Sequence, residues 1–137
     1  MRIEYHEFYS SSLNRMMPFK SYGHAGKPII VFPSSGGSFY EYEDFGMIEA
    51  CSSLIEEGVV RFYTPDSVDQ ESWLNKGMWP GDMARKHNAY DSYIINELVP
   101  FIWAHSGWQG GFMTTGCSMG GYHSANFYFR HPDVFDS

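Results

Sequence analysis

Six consecutive residues, Gly116-Cys117-Ser118-Met119-Gly120-Gly121, contain a serine flanked two positions away on each side by glycine. This Gly-x-Ser-x-Gly spacing belongs to a nucleophile elbow, a strained strand-to-helix turn that lifts a serine hydroxyl clear of a sheet. The glycines lack the Cβ atoms that would collide with neighbouring backbone in so tight a turn. Because the helix starts immediately after the serine, its first N–H groups, Met119 foremost, aim at the place where an oxyanion would form. The pattern predicts Ser118 as a nucleophile for acyl chemistry.

A short motif in a chain with 14 glycines needs a supporting context. Before the motif, Gly111-Phe112-Met113-Thr114-Thr115 is short, apolar and partly β-branched, which predicts a buried strand. After it, residues 122–130 run without Gly or Pro and stop at His131-Pro132, which predicts a helix with a proline stop. Strand, turn and helix therefore follow in the order that an elbow requires.

The elements that must hold this turn are legible upstream. Residues 2–9 and 13–22 are β-prone runs around Ser10-Ser11-Ser12, predicting an antiparallel hairpin that covers a sheet edge. Ile29-Ile30-Val31-Phe32 is a continuous apolar run, as expected of a central strand covered on both faces. Pro33-Ser34-Ser35-Gly36-Gly37-Ser38 follows, then a helix is expected within residues 43–57, with Glu41, Glu43 and Asp44 favouring its N-terminus rather than forming a catalytic pair. A second central strand is expected at 59–63. A long polar and aromatic segment, 64–85, carries Trp73 and Trp79, either pocket-lining or core residues. A helix from about 87 to 104 presents Tyr90, Ile94, Leu98 and Ile102 at helical spacing, and Pro100 is expected to kink it or end it early.

Composition excludes several classes. The 137 residues are 43% hydrophobic and 18% aromatic, enough for one packed domain spanning 1–137. A formal charge of −7, with no basic run, argues against nucleic-acid or anionic-membrane partners. No segment has the apolar length of a membrane span, and the N-terminus lacks a signal-peptide core. Cys51 and Cys117 form neither a close pair nor a His/Cys cluster, so no disulfide scaffold, zinc site or other metal is indicated, and a reducing cytoplasm fits best. Cys117 is expected to be buried as a small apolar residue, and His24, His87 and His105 to be solvated or capping.

Hairpin, strand, helix, strand, helix, strand and Gly-x-Ser-x-Gly resemble an α/β-hydrolase up to its nucleophile. Gly-Cys-Ser-Met-Gly-Gly, a helix, then His131-Pro132-Asp133-Val134-Phe135 resembles the esterase D-like esterase family. The resemblance extends to Asn96-Glu97-Leu98-Val99-Pro100-Phe101-Ile102 and to residues 33–38, where such esterases often carry His-Gly-x-Gly-Gly-Ser. It implies an α/β three-layer sandwich with a mostly parallel sheet and an N-terminal antiparallel hairpin. It also implies a serine esterase without cofactor that cleaves small carboxylic esters through an acyl-enzyme; a thioesterase, an acyltransferase or a non-catalytic binding domain are the alternatives. Carried over, Ser118 is the nucleophile and the N–H groups of Met119 and Ser35 form the oxyanion hole. Because Pro33-Ser34 replaces the usual pair, Gly36 is the fallback donor.

The resemblance places the catalytic acid and histidine after Ser118, in that order, whereas the remaining 19 residues spell out only a helix and its end loop. His123 and His131 are read as helix-surface or capping residues. The chain is therefore expected to be the N-terminal part of a larger hydrolase, truncated after the elbow helix and inactive alone. An open sheet edge at 111–115 is expected to pair with a second copy or with a chain supplying the missing strands.

Overall fold

The computed structural model describes residues 1–34, 38–68 and 79–137. Five strands form one sheet: β1 (Ile3–Ser10), β2 (Arg15–Tyr22), β3 (Lys27–Phe32), β4 (Val60–Pro65) and β5 (Met113–Gly116), in the spatial order β1-β2-β4-β3-β5. β3 is parallel to both β4 and β5, while β2 runs antiparallel to β1 and β4. Only β2 therefore opposes the common strand direction. The expected hairpin is present, in register from Ile3 opposite Tyr22 to Ser10 opposite Arg15.

Alternation along the central strands builds two cores. Ile30, Phe32 and Tyr63 point to one face, where they pack with Tyr90, Tyr93, Ile94, Leu98, Ile102 and Phe127. Ile29, Val31 and Phe62 point to the other and pack with Tyr22, Ile48 and Ile55. This is why the apolar run of β3 is continuous: both faces are covered by helices, which gives three layers.

The helix expected within 43–57 is broken into α1 (Glu41–Asp44), α2 (Met47–Ala50) and α3 (Ser52–Glu56). Gly46 adopts φ 80°, a left-handed conformation that separates α1 from α2. Glu41, Glu43 and Asp44 all fall in the first turn of α1, as expected.

The next helix starts earlier than expected, at Pro80, whose fixed φ suits a first helical position. It runs through α4 (Pro80–Tyr93), a π-helical turn at Ile94–Leu98 and α5 (Val99–Ser106), so Pro100 does not end it. The wide turn lies immediately ahead of the proline, in the stretch whose carbonyls would otherwise meet the ring and its missing N–H. Within that turn Glu97 accepts hydrogen bonds from the Ser10 hydroxyl (3.0 Å) and the Ser12 N–H (3.1 Å), tying the hairpin turn to the helix.

α6 (Met119–Arg130) follows β5 directly and ends before Pro132. The far edge of β5 is not left open as expected. Residues 134–137 already run alongside it: the Phe112 N–H donates to the Val134 carbonyl (2.9 Å), the Asp136 N–H to Phe112 (3.0 Å) and the Thr114 N–H to Ser137 (3.0 Å). Phe112 and Phe135 form a parallel bridge, and Lys27 anchors the segment by donating to Asp136 at 2.6 Å. That ammonium holds the Asp136 carboxyl below its usual range.

Candidate active site

Ser118 is exposed at the apex between β5 and α6 with φ 57° and ψ −123°. Only one other non-glycine residue, Asn14, has a positive φ among the described residues. The serine hydroxyl does not cap α6. Met119 is the first residue of α6, where an N–H has no acceptor one turn back in its own helix.

The flanking glycines are required by close approach. A Cβ on Gly120 would lie 2.2 Å from the Phe32 carbonyl oxygen and 2.7 Å from that of Pro33, and one on Gly116 would lie 2.4 Å from the Gly120 backbone. The first turn of α6 is thus pressed onto the end of β3, which brings the turn beside the loop that follows that strand. Behind it, the Ser124 hydroxyl donates to Thr114 Oγ1 (2.8 Å), and Thr114 donates to the Ser124 carbonyl (3.0 Å), locking α6 to β5.

The start of the 33–38 loop, at Ser34, is held by Glu41. Glu41 accepts from the Ser34 N–H at 2.7 Å and, through its other oxygen, from the Ser34 hydroxyl. Glu41 is thus a brace for the loop as well as a helix-start residue, a role that spacing alone does not reveal. Ser35 and Gly36, the expected second oxyanion donors, lie outside the described residues, as does Trp73. Trp79 does not join the core: it is 78% exposed, immediately ahead of Pro80.

Beside the turn lies a small hollow of about 60 Å³ lined by Phe32, Ser34, Glu41, Tyr42, Phe45, Met47 and Cys117. Cys117 is exposed, contrary to expectation, because the strained turn carries it out of the strand. Burial raises the Tyr42 phenol above its usual range, so the wall presents a neutral ring.

His123, His87 and His105 depart from expectation, whereas His131 caps the end of α6 as expected. His123 is only 1% exposed, stacked on His87 at 5.4 Å and against Tyr90 at 5.7 Å. Its place on the inner face of α6 buries it rather than leaving it on the helix surface, and His87 is buried with it. His131 pairs with Asp91 at 3.0 Å, and Arg130 adds a second cation to that carboxylate at 3.4 Å. His131 therefore secures the end of α6 to α4. His105 is half-buried and hydrogen-bonded to Tyr63, not solvated, whereas His24 is exposed as expected. His105 also stands beside Glu4 and His6, a cluster missed because its members are so far apart in sequence; the Glu-x-His spacing on β1 was its one local signal.

Among the described residues no helix is long and apolar enough to cross a membrane. No curated protein sequence matches the chain, but its fold has solved counterparts. A ferulic acid esterase superposes with a TM-score of 0.74 at 16% identity, covering 98% of this chain and 55% of its own. An S-formylglutathione hydrolase from Staphylococcus aureus gives 0.72 at 18%, covering 98% and 56%. A substrate-bound, fluorophosphonate-binding serine hydrolase from the same organism gives 0.73 at 15%, covering 98% and 54%. The chain thus spans little more than half the length of these structures, with which it shares an α/β-hydrolase-like fold. The family model described as "Putative esterase" matches residues 10–137, and the chain belongs to that family.

Proposed function

We propose that this chain carries the nucleophile half of a serine esterase acting on small carboxylic esters. The observation that carries the proposal is Ser118 itself, exposed at φ 57° where β5 meets α6 in a member of an esterase family. In this mechanism Oγ attacks the ester carbonyl carbon while a base takes its proton, and the oxygen that becomes anionic accepts from the Met119 N–H. Collapse of that intermediate expels the alcohol with a returned proton and leaves an acyl-enzyme. Water then attacks the acyl carbon, releasing the acid and restoring the hydroxyl. A thioesterase or acyltransferase would differ only in the leaving group or in the acceptor.

The second oxyanion donor is assigned to the Ser35 N–H, with Gly36 as the alternative, on a loop whose stem Glu41 braces. The hollow beside Cys117 suits an apolar part of the substrate. Histidines 123 and 131 are engaged within the core and with Asp91, so the base and its orienting acid are expected from a chain of the relatives' full length. The 137 residues alone are expected to be inactive. Two free thiols accord with a reducing compartment such as the cytoplasm.

The test is hydrolysis of short p-nitrophenyl esters by the protein at its relatives' length. Ser118→Ala is expected to abolish turnover while leaving the melt unchanged within about 1 kcal/mol. Retained turnover would move the nucleophile elsewhere.

A further inference from the structure

The edge of the sheet away from Ser118 carries a cluster that ester chemistry does not use. β1 and β5 are the two edge strands of the sheet, so Glu4 and His6 lie across its width from Ser118, which lies just beyond β5. Being two residues apart on a strand, they share a face, and both are half-buried on the side packed by α5. His105, in the last turn of α5, meets them there.

One donor atom from each of the three lies within 4.8 Å of the others. His105 Nε2 stands 3.4 Å from Glu4 Oε1, and the two imidazole rings are 5.1 Å apart, nearly perpendicular at 81°. Each imidazole has a hydroxyl on one nitrogen, which leaves the other for a ligand. Tyr63 Oη is 2.8 Å from His105 Nδ1, and Ser21 Oγ is 3.0 Å from His6 Nε2. Stacking on Phe19 (4.8 Å for His6) and Phe101 (5.4 Å for His105) further fixes the rings. Orientation by such second contacts is what metal-ligating histidines require.

We propose that Glu4, His6 and His105 bind a divalent cation of borderline softness, zinc foremost, which clamps the edge strand β1 to the end of α5. Two imidazoles and one carboxylate form a three-ligand set suited to zinc, with water completing the coordination. The C-terminal end of α5 adds the negative end of its dipole. Arg61 acts against the site: it is 4% exposed, and its guanidinium stands 3.4 Å from His105 Nδ1 and over the Tyr63 ring at 5.6 Å. Glu4 is the one anionic ligand that offsets this charge, so affinity should depend on it strongly. The cation is structural and has no part in the steps at Ser118.

The test is titration of the purified 137-residue chain with zinc, and separately with cobalt, after both cysteines have been alkylated. One zinc per chain is expected, with a rise of several degrees in melting temperature, and cobalt should give the visible absorption of a four-coordinate nitrogen and oxygen site. Glu4→Gln, a partly exposed change on an edge strand, should keep the metal-free melt and weaken zinc binding at least about tenfold. His105→Gln should do the same, while His24→Ala, at an exposed histidine elsewhere, should change nothing. Failure of the folded wild-type chain to take up zinc, or uptake that Glu4→Gln and His105→Gln leave unchanged, would overturn the site. Zinc bound by these residues without a rise in melting temperature would overturn the clamp.

Discussion

Ser118 holds φ 57° and ψ −123°, a conformation that costs a non-glycine residue of the order of 1–3 kcal/mol. Ser118→Gly should therefore stabilise the fold, by about 1 kcal/mol after the added flexibility of the unfolded chain is subtracted, even as it removes the proposed nucleophile. Urea midpoints of the two chains check this, and an unchanged or lower midpoint for the glycine variant would mean that the turn is not strained. The serine and its glycines were legible in sequence because the constraint there is local: each spacing answers a backbone collision within a few residues. Glu41 was not legible as the brace of Ser34, because its role depends on a helix folding back over a loop. Cys117 was misjudged because a residue following an apolar strand reads as buried unless the turn's direction is known.

Among the elements, the first turn of α6 and the end of β3 approach so closely that a methyl group cannot enter. Gly120→Ala would set Cβ 2.2 Å from the Phe32 carbonyl oxygen, so a loss of about 2 kcal/mol or more is expected, read as a lowered denaturation midpoint. Glu43 offers a different test. Its carboxylate accepts from the Tyr22 hydroxyl (2.8 Å) and from Lys20 (3.1 Å). These contacts, Tyr22 first, hold it below the ordinary glutamate value of 4.5. The folded state thus favours the ionised form, and the stabilisation is present above the unfolded pKa and lost as pH falls through the folded one. Between about pH 6 and about pH 3, Glu43→Gln should show a shallower fall in stability than the wild type; identical acid limbs would contradict the linkage. Strand and helix order was readable from apolar periodicity, but the breaks were not. The π-helical turn that accommodates Pro100 also presents Glu97 to the hairpin, a tertiary use with no signature in local pattern.

At the scale of the molecule, β1 and β5 are the sheet's edges, and β5 is partly covered by residues 134–137. The surface beside that cover, lined by Thr115, Gly121, Ala125, Tyr128 and Phe129, is open, with Phe129 77% exposed. Such a patch favours association. Light scattering of the 137-residue chain is expected to show species heavier than a monomer, whereas a monomer with a cooperative melt would mean that the short cover suffices. Sequence indicated that this edge mattered but not how it is occupied, because pairing of 134–137 with β5 is a non-local contact that passes around α6.

The most direct measurement is labelling with a fluorophosphonate, followed by mass spectrometry of the digested protein, on a preparation at the relatives' length that cleaves p-nitrophenyl acetate. A single phosphonyl adduct on Ser118, absent in Ser118→Ala, is the predicted result. Full labelling at another residue, with hydrolysis retained in Ser118→Ala, would contradict the assignment of Ser118 as the nucleophile.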